Sequence, residues 1–111
     1  MKTLILSFVA IILLIVSCSE KKDFNSNVWK NWTETESTMN TRWLMYKDLL
    51  KKYKLKGVSK DSILQLLGKP NVQTKSKYQY FLGATGKGVN TGTMTIIFDN
   101  GIVIDIIITD G

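Results

Sequence analysis

Gly57-Val58-Ser59-Lys60-Asp61-Ser62-Ile63-Leu64-Gln65-Leu66-Leu67-Gly68-Lys69-Pro70 reads as a short helix with both ends written into it. Ser59 supplies an N-cap hydroxyl that accepts from a backbone N–H one turn on. Asp61 places a negative charge in the first turn, where the helix dipole favours it. Gly68 takes the left-handed conformation that closes a helix, and Pro70 prevents continuation. Ile63, Leu66 and Leu67 share one face at helical spacing. A helix this short cannot stand alone, so its apolar face must be received by the strand-like sequence that follows.

Downstream of it, Tyr78-Gln79-Tyr80-Phe81-Leu82 is aromatic and strand-like. Gly83 to Gly92 holds four glycines and reads as a loop; its Gly86-Lys87-Gly88 lacks the spacing and the following helix of a phosphate loop. Thr93 to Phe98 and Ile102 to Thr109 are the strongest strand candidates, joined at Asp99-Asn100-Gly101. A two-residue Asn100-Gly101 turn would set Asp105 opposite Ile96, on the face of Met94 and Phe98. A three-residue loop with Gly101 left-handed would instead pair Phe98 with Ile102, Ile96 with Ile104 and Met94 with Ile106. Asp105 then falls beside Thr95 on the other face. The second register separates apolar from polar and is the expectation. Val103, Ile97 and Ile107 leave that other face partly apolar, to be covered by the Trp29/Trp32 segment, a partner or a second copy.

Upstream, Thr41 to about Lys54 is a longer helix, with Met45, Tyr46, Leu49, Leu50 and Tyr53 at intervals of three and four. Asn40 or Thr41 is its expected cap. Seven basic residues stand between Arg42 and Lys60 against the single acid Asp48. They form either a patch for anionic headgroups or an acidic partner, or a solvated face with dipole-complementing lysines. Phe24, Val28, Trp29 and Trp32 interrupt an otherwise polar Ser19–Thr41 stretch. The Trp pair at i, i+3 offers an aromatic platform, or a segment that lies on the domain and buries its rings; large aromatics mostly pack. The candidate binding surface is Trp29, Trp32, Trp43, Lys47, Lys51 and Lys54.

The first seventeen residues are of another kind. Met1-Lys2 is followed by an almost unbroken apolar run from Leu4 to Val16, too short for a membrane span and of the form of a secretory signal. Ile15-Val16-Ser17-Cys18 resembles a bacterial lipobox, which implies cleavage before Cys18 and acylation there. Several acyl chains anchor stably where one does not. An ordinary signal, or an uncleaved anchor, is the alternative. Residues 1–17 are expected to be a signal peptide, 18–38 the lipidated Cys and tether, and 39–111 a single domain. In a chain of 111 residues with 22% charged and 44% hydrophobic residues there is room for one core.

Composition also restricts chemistry. The chain has no His and one Cys, with a formal net charge of +6. The commonest general base and metal ligand is missing, and Asp48, Asp61, Asp99, Asp105 and Asp110 fall at solvated, cap or turn positions. No catalytic residue, metal or cofactor is expected, and nucleic acid is an improbable partner for an exported chain.

The run from Leu55 to Pro70, then Tyr80-Phe81-Leu82-Gly83, then Ile96-Ile97-Phe98-Asp99-Asn100-Gly101-Ile102-Val103, resembles the SmpA/OmlA (BamE-like) family of small outer-membrane lipoproteins. The same unit occurs in β-lactamase-inhibitor-protein-like domains. The resemblance implies an α+β fold with two helices packed on one face of a three-stranded antiparallel sheet. It implies a non-enzymatic envelope scaffold or accessory protein-interaction module, held at the outer membrane by the lipid on Cys18 and bound to a protein partner. A binding or inhibitor module for an extracytoplasmic enzyme or glycan is the alternative. Ser19 after the Cys, in place of Asp, resembles an outer-membrane address. The Phe24–Trp43 front departs from the family pattern, and no partner-binding residue is carried over.

Overall fold

The computed structural model describes residues 21–111; the stretch expected to be a signal peptide, and Cys18, lie outside the described residues. The chain is α+β. Helices α1 (Ser26–Lys30), α2 (Thr41–Lys52) and α3 (Lys60–Leu67) precede an antiparallel sheet of β1 (Val72–Gln73), β2 (Lys77–Ala84), β3 (Thr91–Asp99) and β4 (Ile102–Asp110). Strand order follows sequence order, β1-β2-β3-β4. The sheet has four strands where three were expected, and three helices precede it where two were expected. The additions are the shortest elements. Val72 and Gln73 are both exposed and pair with Gln79 and Tyr78. The five-residue α1 is capped by Asn25, whose side chain accepts from the Val28 N–H at 3.1 Å.

The organising helix has the ends its sequence prescribes. Ser59 is the N-cap and its hydroxyl accepts from the Ser62 N–H at 3.3 Å. Gly68 is the C-cap at φ 76° and its N–H donates to Leu64. Ile63 and Leu67 are fully buried. On α2, Met45 and Leu49 are buried, whereas Tyr53 lies beyond the last turn and is 44% exposed. Asn40 is the α2 N-cap without a side-chain hydrogen bond, and the helix ends two residues earlier than expected.

The sheet offers one face to the helices. Tyr78, Tyr80 and Leu82 of β2, Met94, Ile96 and Phe98 of β3, and Val103 of β4 are buried there with Ile63, Leu67, Met45 and Leu49. Phe24 and Trp29 join the same core, so the segment before α2 packs on the domain. Its entry is pinned by the Lys22 N–H to the Leu44 carbonyl at 3.1 Å and by the Phe24 N–H to the Asp48 carboxylate. Ser26 Oγ donates to the Leu66 carbonyl at 2.6 Å and lays α1 against α3.

The β3–β4 register departs from expectation. Asp99 pairs with Ile102 and Phe98 with Val103, so Asn100 and Gly101 form a two-residue turn. Both have positive φ, 50° and 78°, which matches the twist of the flanking strands. The expected pairs of Phe98 with Ile102 and Ile96 with Ile104 do not form. Ile102 and Ile104 are exposed, and Val103 takes the core position. Segregation of polar from apolar is achieved by another route. Ile97 pairs with Asp105, the neighbouring pair being Phe98 with Val103, so Ile104 is an extra residue in a β-bulge. The bulge shifts the remainder of β4 by one, returning Ile106 and Ile108 to the core side and Asp105 to the opposite face. Strands β2 and β3 also run further into the glycine-rich segment than expected, to Ala84 and from Thr91.

Candidate functional site

The structure brings three of the six candidate residues, Trp43, Lys47 and Lys51, to one depression and places the other three elsewhere. Trp29 is fully buried. Its ring tilts against Phe24 at 5.8 Å and Tyr80 at 6.3 Å. Its indole Nε1 has no hydrogen-bond partner among the described residues. It is a core residue, as a segment lying on the domain requires. Trp32 is half-buried, and its indole N–H donates to the Thr38 carbonyl at 2.6 Å. Trp43 and Tyr46 stack at 5.0 Å and line, with Lys47, Lys51, Lys21 and Lys22, a depression of about 250 Å³. Asp23 and Asp48 sit in the same depression. Lys54 lies elsewhere, on a groove bounded by Ser26, Val58 and Leu66.

Between the two tryptophans sits Arg42, which sequence reasoning had placed only in the basic patch. It is 6% exposed. Its guanidinium carbon lies 5.0 Å from the ring centres of both Trp29 and Trp32, within cation–π range of each. Nε and Nη2 donate to the Trp29 carbonyl at 3.1 and 2.8 Å, and Nη1 donates to the Phe81 carbonyl at 3.2 Å. The first of these lies at the C-terminal end of the short α1, where its backbone contact is the long one from the Trp32 N–H at 3.5 Å. The second lies on the outer edge of β2, past the end of β1. One side chain therefore closes a helix end and a strand edge together. Burial lowers the Arg42 pKa to about 10, partly offset by the nearby Tyr80 phenol, so it stays charged at neutral pH. Burial likewise pushes the Tyr80 phenol above its ordinary value, and its O–H donates to the Gly68 carbonyl at 2.7 Å.

A signal for Arg42 was present in the sequence. It stands three residues before Met45 and seven before Leu49, on the buried stripe of α2. Beside it opens a cavity of about 580 Å³ lined by Trp32, Glu34, Arg42, Phe81 and Thr93, among others.

The second feature is the sheet face turned away from the helices. Its residues are fixed by register: Lys77–Ile97–Asp105, Gln79–Thr95–Ile107 and Phe81–Thr93–Thr109 run in three rows across β2, β3 and β4. Phe81 is 47%, Ile107 42% and Ile104 53% exposed. Of the Trp29/Trp32 segment, expected as one possible cover, Trp29 packs on the helix side instead, while Trp32 lines a cavity with Phe81 and Thr93 beside the third row. Among the described residues the β4 edge is covered at its start. There the Gly57 N–H donates to the Val103 carbonyl at 2.8 Å and the Val103 N–H to the Val58 carbonyl at 2.9 Å.

The carboxylates on the candidate list have local tasks or lie in solvent. Asp48 accepts from the Phe24 N–H and pairs with Lys52 at 3.0 Å. Both contacts, the backbone one foremost, hold its carboxyl below the usual value. Asp105 accepts from its neighbour's Ile106 N–H at 2.8 Å, and Asp110 pairs with Lys87 at 3.3 Å. Among the described residues no three His, Cys, Asp or Glu side chains come together as a metal site. None of the described helices is long and apolar enough to cross a membrane. No protein-family model matches the chain, and neither a curated protein nor a solved structure shows significant similarity to it.

Proposed function

We propose that this protein is a non-catalytic, lipid-tethered module of the bacterial outer membrane that works by protein–protein contact. The SmpA/OmlA (BamE-like) resemblance and the lipobox at Cys18 motivate the tether. The observation that carries the binding role is the sheet face that the described helices leave open, where Ile97, Ile107 and Phe81 lie among Thr93, Thr95 and Thr109. Apolar side chains set in a polar rim on a rigid sheet are the composition of an interaction surface.

Photo-crosslinking side chains at Thr95 and Ile107, compared with one at Val28, test this in intact cells. Reproducible protein adducts from the sheet positions alone are expected, and no adducts from either sheet position overturn the reading. Incorporation of labelled palmitate that disappears in Cys18→Ala is the expected outcome for the anchor; unlabelled wild-type protein overturns the tether without touching the sheet face.

A second reading, a binding or inhibitor module for an extracytoplasmic enzyme or glycan, is favoured by the cavity beside Trp32 and Arg42. A half-buried Trp ring at the wall of a cavity is a stacking surface for a sugar or a peptide side chain. Loss of ligand binding in Trp32→Ala with unchanged stability supports it, and unchanged binding removes it.

A further inference from the structure

We infer that the occupant of the open sheet face is a second copy of this chain, docked about a two-fold axis that runs along β3. The inference rests on the reading of that face as the binding surface and names its partner.

The argument starts from the rows. Lys77 on β2, Ile97 on β3 and Asp105 on β4 lie side by side across the sheet. A cation therefore stands on one flank of the face and an anion on the other, with an aliphatic residue midway. Consider two such faces stacked with their mutual two-fold along β3. Each β2 then lies over the partner's β4, and row stays over row. Lys77 meets Asp105 of the partner subunit, Asp105 meets the partner's Lys77, and the two Ile97 side chains meet on the axis. In the next row Gln79 meets the partner's Ile107 and Thr95 meets itself. In the third, Phe81 meets the partner's Thr109. Charge is thus complementary in the first row; in the other two a polar side chain lies over an apolar one, and one row nearer the turn Asp99, on the same face, meets the partner's Asp99 on the axis.

The other two-fold arrangement, with the axis across the strands, lays each β4 on its own copy. Asp105 then has no lysine of β2 opposite, so charge selects the axis along β3. Stacked sheets keep their strands within about 30° of one another. One strand spacing of about 4.8 Å from the axis, that rotation moves a residue by about 2.5 Å, less than one strand residue. Lys77 and Asp105 stay within reach. Asp105 is available for this pairing. Its present partner, Lys56, is 3.9 Å away and both side chains are more than half exposed, an arrangement worth little in water.

Size sets the strength. Three overlapping strands span about 14 Å by about 27 Å, on the order of 400 Å² in projection and more as corrugated accessible surface. Counted over both partners that is about 800 Å² in projection, in the class of weak, transient association, so the dimer is a reversible one. Anchoring both copies in one membrane plane raises their effective concentration.

Sedimentation equilibrium over a concentration series tests the inference on the chain without residues 1–17 and with Cys18→Ser. Every described element and the whole core remain in this form. A concentration-dependent monomer–dimer equilibrium is expected. Lys77→Glu and Asp105→Lys, each alone, place like charges opposite each other and are expected to weaken association at least tenfold. Combined in one chain they re-form both pairs and restore association to within about threefold of the parent. A strictly monomeric parent overturns the inference, as does a double variant no better than the singles. Both sites are exposed, so circular dichroism is expected to show all variants folded. Adducts to another protein from Thr95 and Ile107 with a monomeric parent leave the binding face standing and remove the second copy; no adducts at all remove both.

Discussion

The two faces of this sheet carry nearly the same kinds of side chain and have opposite fates. On the covered face Met94 and Ile96 of β3 are fully buried, and the neighbouring Ile97 looks the other way from the same strand. What separates them is cover. Three short helices and the segment from Lys22 to Trp29 are all spent on one side. Among the described residues no helix is left for the other. Apolar content alone does not say which side of a sheet is core; the side that receives α2 and α3 is.

The sharpest way to break this comparison is to cut the same side chain from adjacent positions. Ile96→Ala removes buried methylenes and leaves a cavity beneath the helices, so a loss of about 2–5 kcal/mol is expected in urea unfolding. Ile97→Ala should cost under about 1 kcal/mol when measured well below the dimerisation range. Equal losses at the two positions mean that the open face is covered within the monomer. Val103 against Ile104 repeats the test on β4 and examines the bulge directly.

The margin of the covered face is sealed by Arg42, and the next largest effect is expected there. Arg42→Met keeps the length and apolar stem of the side chain but leaves the Trp29 and Phe81 carbonyls without their donors. One carbonyl left unpaired, that of Phe81, and one left with only the long Trp32 N–H contact, that of Trp29, predict a loss of about 1–3 kcal/mol. Arg42→Lys retains charge but cannot bridge both carbonyls or lie flat between two indoles, so it should recover less than half of the loss. Full recovery by Lys would show that charge, rather than the planar fork, makes the seal.

How much of this was visible in the sequence follows from how local each signal is. The α3 helix was legible to the residue because Ser59 and Gly68 act on their own turn. The burial of Ile63, Met45 and Leu49 followed from spacing. The strands β2, β3 and β4 were legible as strands, because aromatic and β-branched runs mark them. Strand β1 was not, since two exposed residues have no period and exist only because Gln79 and Tyr78 offer an edge. The five-residue α1 fails for the same reason. The hairpin was misread because its alternation was taken as unbroken. Asn100-Gly101 formed the turn that such a pair favours, and the chain placed its correction at Ile104. Of the six candidate binding residues, the sequence could not tell that three separate surfaces and the core would divide them. Proximity of Trp32 to Arg42 across a helix and a turn is a tertiary fact. The open face could be read in part, as Ile97 and Ile107 beside Thr95, but its rows depend on the bulge.

The smallest effect concerns Asp48, the residue that holds the entering segment down on the covered side. Its carboxylate accepts from the Phe24 N–H and, on the other side, binds Lys52. These hold its folded pKa below the ordinary 3.8 and raise that of Lys52 above 10.5. A carboxyl with a depressed folded pKa stabilises fully above its unfolded value, and the contribution fades as pH falls through 3.8 toward the folded value. For Lys52 the sign is reversed: its contribution is complete below 10.5 and fades as pH rises past it. Between these limits the pair should give a flat plateau. Asp48→Asn keeps an acceptor for the Phe24 N–H but has no charge to lose. It should be slightly less stable than the parent on the plateau, by an amount that shrinks with added salt, and should converge with it in acid. Amide exchange at Phe24 distinguishes where the stabilisation acts. If protection of that one N–H falls in acid while Ile96 stays protected, the carboxylate latches the segment locally. If both fall together, the segment is part of the same cooperative unit as the core. The covered face then depends on its N-terminal flap as much as on its helices, a dependence for which the open face has no counterpart.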